Sequence, residues 1–586
     1  MIESSTTLLV SFLLISCANE VKSDVKNPQY KAGDRIPFYA NKVGPFRNPS
    51  ETYAYYDLPF CSSDTITEKK ETIGEVLNGD HLVSAPYKID FLVDKTSEIA
   101  CKKKLKKTEI SRFLSAVAQG YYTLMYLDDL PVWTFIGKVD RDDEVNQNKY
   151  HLFTHILFEI HYNNEYVIEI NAQAFVEEVV ELEEEKDIEV GFSYSVKWKE
   201  TDTPFEKRME KYSQFSDGAN SIHWFSIMNS WLTVLITLGC LMMFYERVLK
   251  KDINKYAIDE ELADSQEETG WKNIHGDVFR YPKHKSLLAA AVGSGTQLLF
   301  LMLCIIMLGL VGVFHPCSRG TLLTALVIFY VITSVIAGYA AVSLYCQLEG
   351  INWVKNLLLT GCLFVGPLFL IFCFLNNVAI TYGATEAVSE GMVLMLISIW
   401  LLLALPLLLL GGISANSSKP EFQAPCPTTK YPREIPSLRW YRGVLPQMIV
   451  GGMLPYHVVY VELYYLFVSI WGHRIYTIYA ILFITAIIVV IETAFVTLAL
   501  TYTQLAAEDH EWWWRSFLCG GSTSFFIFGY CLYYYVKSEM SGLLQTSFFF
   551  GYMACICYGI FLMLGAIGFR ASLLFIRCIY GSIKCE

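Results

Sequence analysis

The sequence predicts a polytopic α-helical membrane protein. An N-terminal luminal β-rich domain, β-sandwich-like and α+β, should be followed by a nine-helix transmembrane bundle. Composition is the first reason. Hydrophobic residues make up 53% of the 586-residue chain and charged residues only 18%, against about 25% charged in soluble proteins. Distribution is the second. Residues 24–222 are rich in Lys, Glu and Asp, whereas apolar stretches dominate from Ser226 onward. Aromatic residues, at 15%, fit a chain with bilayer interfaces to populate. A net charge of −12 excludes nucleic acid as a partner, because phosphate binding needs a positive surface.

Taken in order, the chain first offers Leu8 to Ile15, an apolar run too short to span a membrane. It resembles the core of a signal peptide, and residues 1–23 are assigned as one, with cleavage near 18–23. The region before it carries Glu3 and no Lys or Arg. Residues 24–222 form the luminal domain and 223–586 the membrane domain.

In the luminal domain, Val190, Phe192, Tyr194, Val196 and Trp198 alternate with smaller or polar residues, a half-buried strand. Leu152 to Tyr162 and Tyr166 to Ile170 flank Asn163-Asn164-Glu165 and predict a hairpin. Ile110, Phe113, Leu114, Val117, Tyr121 and Leu124 recur at helical spacing, so a helix is expected over 108–126 with Thr108 as its cap. Cys61 and Cys101 are the cysteines of this domain. An oxidising lumen favours a disulfide between them.

A bilayer core of ~30 Å takes about 20 helical residues. Nine stretches qualify: 226–245, 287–313, 321–345, 354–376, 388–410, 446–470, 476–502, 516–536 and 544–569. With the signal peptide directing the N-terminal domain to the lumen, nine spans leave the C-terminus in the cytosol. Basic residues agree. Lys250, Lys251, Arg280, Lys283, Arg433, Arg439 and Arg577 fall in cytosolic loops, against Arg319, Arg474 and Lys537 in luminal ones.

Few residues suggest chemistry. His151, His155, Glu159 and His161 read as one face of a strand, but four residues along a strand cover ~13 Å at 3.3 Å each, so only Glu159 and His161 could share a metal, with help from another strand. Ionisable groups within the membrane are more informative, since each costs at least ~2.5 kcal/mol there. Glu462 and Glu492 lie inside spans, and His457 shares a span with Glu462. They form a candidate intramembrane polar site, for a proton or ion path or for a polar group on a client helix. Glycines such as Gly293, Gly295, Gly451, Gly452, Gly565 and Gly568 mark close helix packing or a docking face for another protein's helix. Trp512-Trp513-Trp514 reads as an interfacial aromatic belt. No nucleotide loop, serine-hydrolase elbow or zinc-protease motif is present, so no catalytic residue, metal or cofactor is expected.

Asn41-Lys42-Val43-Gly44-Pro45-Phe46, Asn48-Pro49, Glu51-Thr52-Tyr53 and Leu58-Pro59-Phe60-Cys61 together resemble the N-terminal signature of the nonaspanins, the transmembrane 9 superfamily of endomembrane protein 70-like proteins. Further matches are Gly270-Trp271-Lys272, His275-Gly276-Asp277, Pro432-Arg433-Glu434, Ala507-Glu508-Asp509 and Trp512 to Ser516. Gly74-Glu75-Val76-Leu77, Gly79-Asp80, Met540-Ser541-Gly542 and Gln545-Thr546 look closest to the member 1 branch. The resemblance implies Golgi and endosomal membranes, sorting of proteins with glycine-rich transmembrane segments, and links to adhesion, phagocytosis and autophagy. It also implies that Lys584-Cys585-Glu586 is a retention signal read by the COPI coat. Expected partners are therefore that coat, client helices and membrane lipids. The competing reading is a proton- or ion-coupled transporter using Glu462 and Glu492.

Overall fold

In the computed structural model, residues 28–208 and 270–581 are described apart from short stretches, with scattered residues between 228 and 250. The expected signal peptide, part of the first span and Lys584-Cys585-Glu586 lie outside the described residues.

The N-terminal domain contains β1 (Phe38–Pro45), β2 (Tyr53–Ala54), α1 (Ile73–Leu77), β3 (Val83–Ser84), β4 (Lys95–Leu105), α2 (Lys107–Ala118), β5 (Tyr121–Leu127), β6 (Leu130–Phe135), β7 (Gly137–Asp142), β8 (Gln147–Phe153), β9 (His155–Asn163), β10 (Tyr166–Ala174), β11 (Val179–Glu181) and β12 (Ile188–Glu200). They form three sheets. The first runs β2-β1-β5-β6 with β3 also on β1, the second β10-β9-β12-β4, and the third β11-β8-β7. The first two face each other as a sandwich. Phe38, Met125, Leu127 and Val132 of one meet Phe158, Ile160, Val167 and Val196 of the other in a single core. A second core joins Ile110, Phe113 and Val117 of α2 to Leu152, Val190 and Phe192.

The predicted strand at 190–198 is the middle of β12, and the predicted hairpin is β9–β10, with Asn163 opposite Tyr166. The predicted helix at 108–126 is too long. Gly120 turns with φ +65°, and Tyr121–Leu127 becomes a central strand paired with β1 and β6. A run of Tyr, Thr, Leu and Met suits a pleated, half-buried surface, and two strand partners outweigh two more helical turns. The helix start also differs: the Lys106 amide donates to the Glu109 carboxylate at 2.9 Å, so Lys106 rather than Thr108 occupies the cap. The histidine row is split. His151 lies on β8 in the third sheet, whereas His155 begins β9 in the second. His155 is buried with its ring nitrogens 2.7 and 3.0 Å from the hydroxyls of Ser193 and Ser195.

Cys61 and Cys101 are disulfide-bonded, as expected. The bond ties the segment after β2 to the edge strand β4.

The bundle comprises α3 (Lys285–Leu310), α4 (Thr321–Gln347), α5 (Trp353–Tyr382), α6 (Glu390–Ser418), α7 (Val444–Ile470), α8 (Tyr479–Leu505), α9 (Trp512–Gly521), α10 (Thr523–Lys537) and α11 (Leu543–Gly581). Among the described residues, seven helices are long and apolar enough to cross a membrane. The predicted eighth span is instead the pair α9 and α10, broken at Ser522. Small residues around the break let backbones meet: a Cβ at Gly452 on α7 would lie 2.7 Å from the Ser522 carbonyl carbon. The Ser522 hydroxyl donates to the Met448 carbonyl at 2.8 Å. Gly/Ser sequences are a recognised cause of helix kinks. A π turn at Trp400–Ala404 interrupts α6 just before Pro406. Proline lacks the N–H that an α-helix needs there, and the wider turn absorbs the defect. α11 has 39 residues, or ~58 Å at 1.5 Å per residue, and so extends well beyond a ~30 Å core.

The 40-residue separation between Cys61 and Cys101 implies that the disulfide removes about 4 kcal/mol of unfolded-chain entropy. Replacing both cysteines by Ser should lower the thermal midpoint of the full chain in nanodiscs. An unchanged midpoint would refute a structural role for the bond.

Candidate functional site

Glu462 on α7 and Glu492 on α8 are both buried, at 3% and 1% exposure. Both helices can be aligned from Gly451, whose Cβ position is 3.3 Å from Leu500 of α8. Counting from there toward the N-terminal domain, Glu462 is ~16 Å and Glu492 ~12 Å along its helix at 1.5 Å per residue. The two carboxyls therefore lie within about one turn of the same level. Tyr460 and Phe467 flank Glu462 in sequence and pack on Tyr530 of α10, closing that stretch of α7 against its neighbour. Among the described residues, Glu492 Oε2 and the adjacent Thr493 Oγ1 are buried without a hydrogen-bond partner. His457 does not join them; it points to the exposed side of α7. Positions 457 and 462 differ by ~140° around a helix, which separates their faces.

The other polar concentration lies where the N-terminal domain meets the bundle. At its centre is a contact of backbone on backbone: a Cβ on Gly74 of α1 would collide with the Gly320 carbonyl oxygen at the start of α4. The Thr72 hydroxyl accepts from the Glu75 amide at 3.3 Å, and the Glu75 carboxylate accepts from the Thr72 amide at 2.8 Å, which holds α1 in shape. Around this point the Asn48 side chain donates to the Ser541 carbonyl at 2.8 Å and accepts from the Ser541 amide at 3.1 Å. The Ser50 amide donates to Gln545 of α11 at 2.8 Å, and the Thr385 amide to the Thr52 carbonyl at 2.8 Å. Arg47 pairs with Glu539 at 2.9 Å.

A charged trio completes the junction. Lys42 Nζ is 3.7 Å from Asp80, whose carboxylate accepts from Asn41 at 2.8 Å. Glu386, in the turn between α5 and α6, sits against Gly79. Burial raises its carboxyl to about 7; Lys42 lowers it and Asp80 raises it. Burial alone would lower Lys42, but Asp80 and Glu386 hold it up at about 12.

The sequence alone did not assign these roles. Gly74-Glu75, Gly79-Asp80, Ser541 and Gln545 carried the resemblance without a function, and each half of a pair lies hundreds of residues from the other. A lone glycine inside a capped five-residue helix was the one local sign of a close approach.

A second assembly forms on the opposite side of the bundle. Trp512 donates to the Val278 carbonyl at 2.9 Å and Trp514 to that of Lys283 at 2.8 Å. Glu508 accepts from the Gly270 amide at 3.0 Å. Asp277 accepts from Arg280 at 2.7 Å and from Thr429 at 2.9 Å. Arg280, Thr429 and Arg433 hold its carboxyl below the ordinary range, although burial opposes them. Trp512 and Trp513 are buried, so this tryptophan run is the core of a cap rather than an aromatic belt. Loops grouped by sequence as cytosolic meet here, and the N-terminal domain touches turns grouped as luminal.

Among the described residues, no three His, Cys, Asp or Glu side chains are grouped to hold a metal.

The family description "Endomembrane protein 70" matches residues 52–543. The chain belongs to the endomembrane protein 70 family. It is 63% identical to transmembrane 9 superfamily member 2 of Arabidopsis thaliana, over 99% of both chains. It is 40% identical to putative phagocytic receptor 1b of Dictyostelium discoideum, again over 99% of both. Identity to member 1 of Bos taurus is 39%, over 95% of this chain and 94% of that protein, so the sequence motifs pointing to the member 1 branch hold for the superfamily more than for that branch. No solved structure matches the chain. The fold and the family together make it a multi-pass membrane protein.

The raised Glu386 carboxyl gives the junction a pH dependence with a definite sign. Its folded value of about 7 exceeds the ordinary 4.5. Its contribution is therefore complete below 4.5 and is lost as pH rises through 7, because the docked state holds the extra proton. Glu386→Gln should raise the thermal midpoint of the full chain at about pH 7.5 and leave it nearly unchanged at about pH 4. Equal shifts at both pH values would rule out this carboxyl as the titrating group.

Proposed function

We propose that the chain is a non-enzymatic endomembrane sorting protein that receives the transmembrane segments of client proteins along α5 and α6. A relative named as a phagocytic receptor supports a general role in membrane trafficking and adhesion. The observation that carries the client reading is uneven packing. Glycines that the sequence offered as docking faces are used inside the bundle: Gly293 meets Ala341, Gly295 meets Leu562, Gly451 meets Cys519 and Gly568 meets Gly520. α5 and α6 have few buried positions by comparison. Gly366 of α5, beside Pro367, has no atom within 4 Å of its Cβ position among the described residues. A glycine-rich client helix can approach closely at such a place, since packing and small residues drive association in lipid.

Residence in Golgi and endosomal membranes, a luminal N-terminal domain, a link to autophagy and COPI recognition of Lys584-Cys585-Glu586 belong to this proposal. They rest on the family resemblance and on the basic bias of the loops. The second reading, a proton- or ion-coupled transporter, is favoured by the unpartnered oxygen of Glu492 and by the broken helix at Ser522, a feature transporters use at binding sites.

Gly366→Leu should reduce recovery of a glycine-rich client helix crosslinked in membranes, whereas Gly529→Leu on α10 should not. Undiminished recovery with Gly366→Leu would remove α5 as the receiving face. Proteoliposome flux that disappears with Glu492→Gln would instead favour transport. For the tail, Lys584→Ala is expected to release the protein from the Golgi and abolish coat binding. Unchanged localisation would defeat the retention assignment.

A further inference from the structure

The chain enters α7 through a short helical turn, Trp440–Arg442, followed by Gly443. Upstream, the Arg433 amide donates to Asp277 at 3.2 Å, so this stretch is tethered to the tryptophan cap. The turn itself is open. Trp440 is 83% exposed, and Leu445 in the first turn of α7 is 74% exposed. Exposure recurs along α7 at Ile449 and Met453, and residues four apart share one helix face. Uncovered Leu, Ile and Met along a helix that spans a membrane face acyl chains. Acyl chains therefore reach the level of Leu445.

That level fixes the depth of the turn. Arg442 lies three residues before Leu445, ~5 Å at helical rise. The headgroup layer is about 5–8 Å deep on each side of a ~30 Å core. Trp440 and Arg442 therefore sit at headgroup depth, where indole rings collect. Two guanidinium groups meet there around one ring. Arg439 donates to the Tyr441 hydroxyl at 3.2 Å, and the Arg442 guanidinium lies 5.9 Å from the centre of the same ring. The hydrogen bond from Arg439, with Arg442 beside it, holds the Tyr441 hydroxyl below its ordinary range. Among the described residues, no carboxylate pairs with either arginine. Two neighbouring cations repel unless an anion offsets them, and the planar guanidinium fork matches the oxygens of a phosphate.

We infer that Arg439 and Arg442 bind the headgroup of an anionic phospholipid in the leaflet on the cap side, with Trp440 seated beside it at the interface. The occupant is a lipid of the chain's own membrane. Two observations select it together. The paired cations call for an anion, which a neutral lipid does not supply. The apolar stripe that runs on from Leu445 calls for acyl chains, which a soluble phosphate does not supply. An anionic phospholipid meets both at the one depth where they adjoin.

The test uses the full chain in equimolar phosphatidylcholine–phosphatidylserine vesicles, with the photo-crosslinker p-benzoylphenylalanine in place of Trp440. The control places it at Leu370, which is 71% exposed within α5. The ratio of phosphatidylserine to phosphatidylcholine adducts, read by mass, should be at least about fivefold higher at 440 than at 370, the preference one arginine gives near an anionic surface. Combining Arg439→Gln and Arg442→Gln should bring the ratio at 440 down to that at 370 while lipid adducts persist. Equal ratios at the two positions, a ratio at 440 unchanged by the double substitution, or crosslinking of 440 only to a second copy of the chain would overturn the inference. If the probe at 440 lowers the thermal midpoint, the same comparison is made from Leu445, with the same outcomes.

Discussion

The contact between Gly74 and Gly320 is the constraint on which the arrangement of the two parts depends. Neither position has room for a side chain toward the other, so the distance between α1 and the start of α4 is set by backbone atoms alone. Everything else at the junction follows from that spacing. Asn48 reaches Ser541, Ser50 reaches Gln545, and Thr52 reaches Thr385. These are directional bonds involving backbone groups, and they fix orientation more than they supply apolar burial. With a few tenths of an ångström of added separation they would lengthen together, because hydrogen bonds weaken steeply with poor geometry. The charged trio depends on the same spacing, since a pair that opens to water loses most of its attraction.

The bundle obeys the same rule at larger scale. In lipid there is no hydrophobic force to draw helices together, so association rests on close packing. The helices that pack closely do so through glycine against backbone: Gly338 against the Leu408 carbonyl, Gly411 against that of Val335, Gly520 against that of Leu564. The break at Ser522 is part of this pattern, because the residues that let α7 and α11 approach are the ones that cannot hold a straight helix. The same packing that buries Glu462 and Glu492 leaves most of α5 and α6 uncovered.

Hydropathy made the membrane helices legible, because each is a long local run whose character does not depend on partners. The strand at β12 and the β9–β10 hairpin were legible for the same reason. Tyr121–Leu127 was not: a short run of aromatic and aliphatic residues satisfies both periods, and its pairing with β1 decided. The broken eighth span was hidden because averaging over a window smooths across Ser522. His457 was grouped with Glu462 by span rather than by face. The junction was invisible as a site because its partners, such as Asn48 and Ser541, are joined only by tertiary structure. Its residues nevertheless stood out as motifs, so the sequence showed which residues mattered before it showed what they touch.

Glu386 joins the two halves of the molecule in a specific way. It sits in the turn between α5 and α6, and that turn is stiff. Gly383 closes α5 in the left-handed conformation, the Ala384 amide bonds to the Ala379 carbonyl, and Asn376 bonds to Val388. A stiff turn passes a change at one end to both helices attached to it, where a slack one would absorb it. Protonation of Glu386 removes one negative charge from a trio that otherwise holds two carboxylates against one ammonium. The docked domain is thereby favoured by acid, and the turn that carries Glu386 joins the two membrane helices with the least cover. The junction and the uncovered face are consequently joined directly along the chain, by the seven residues 383–389.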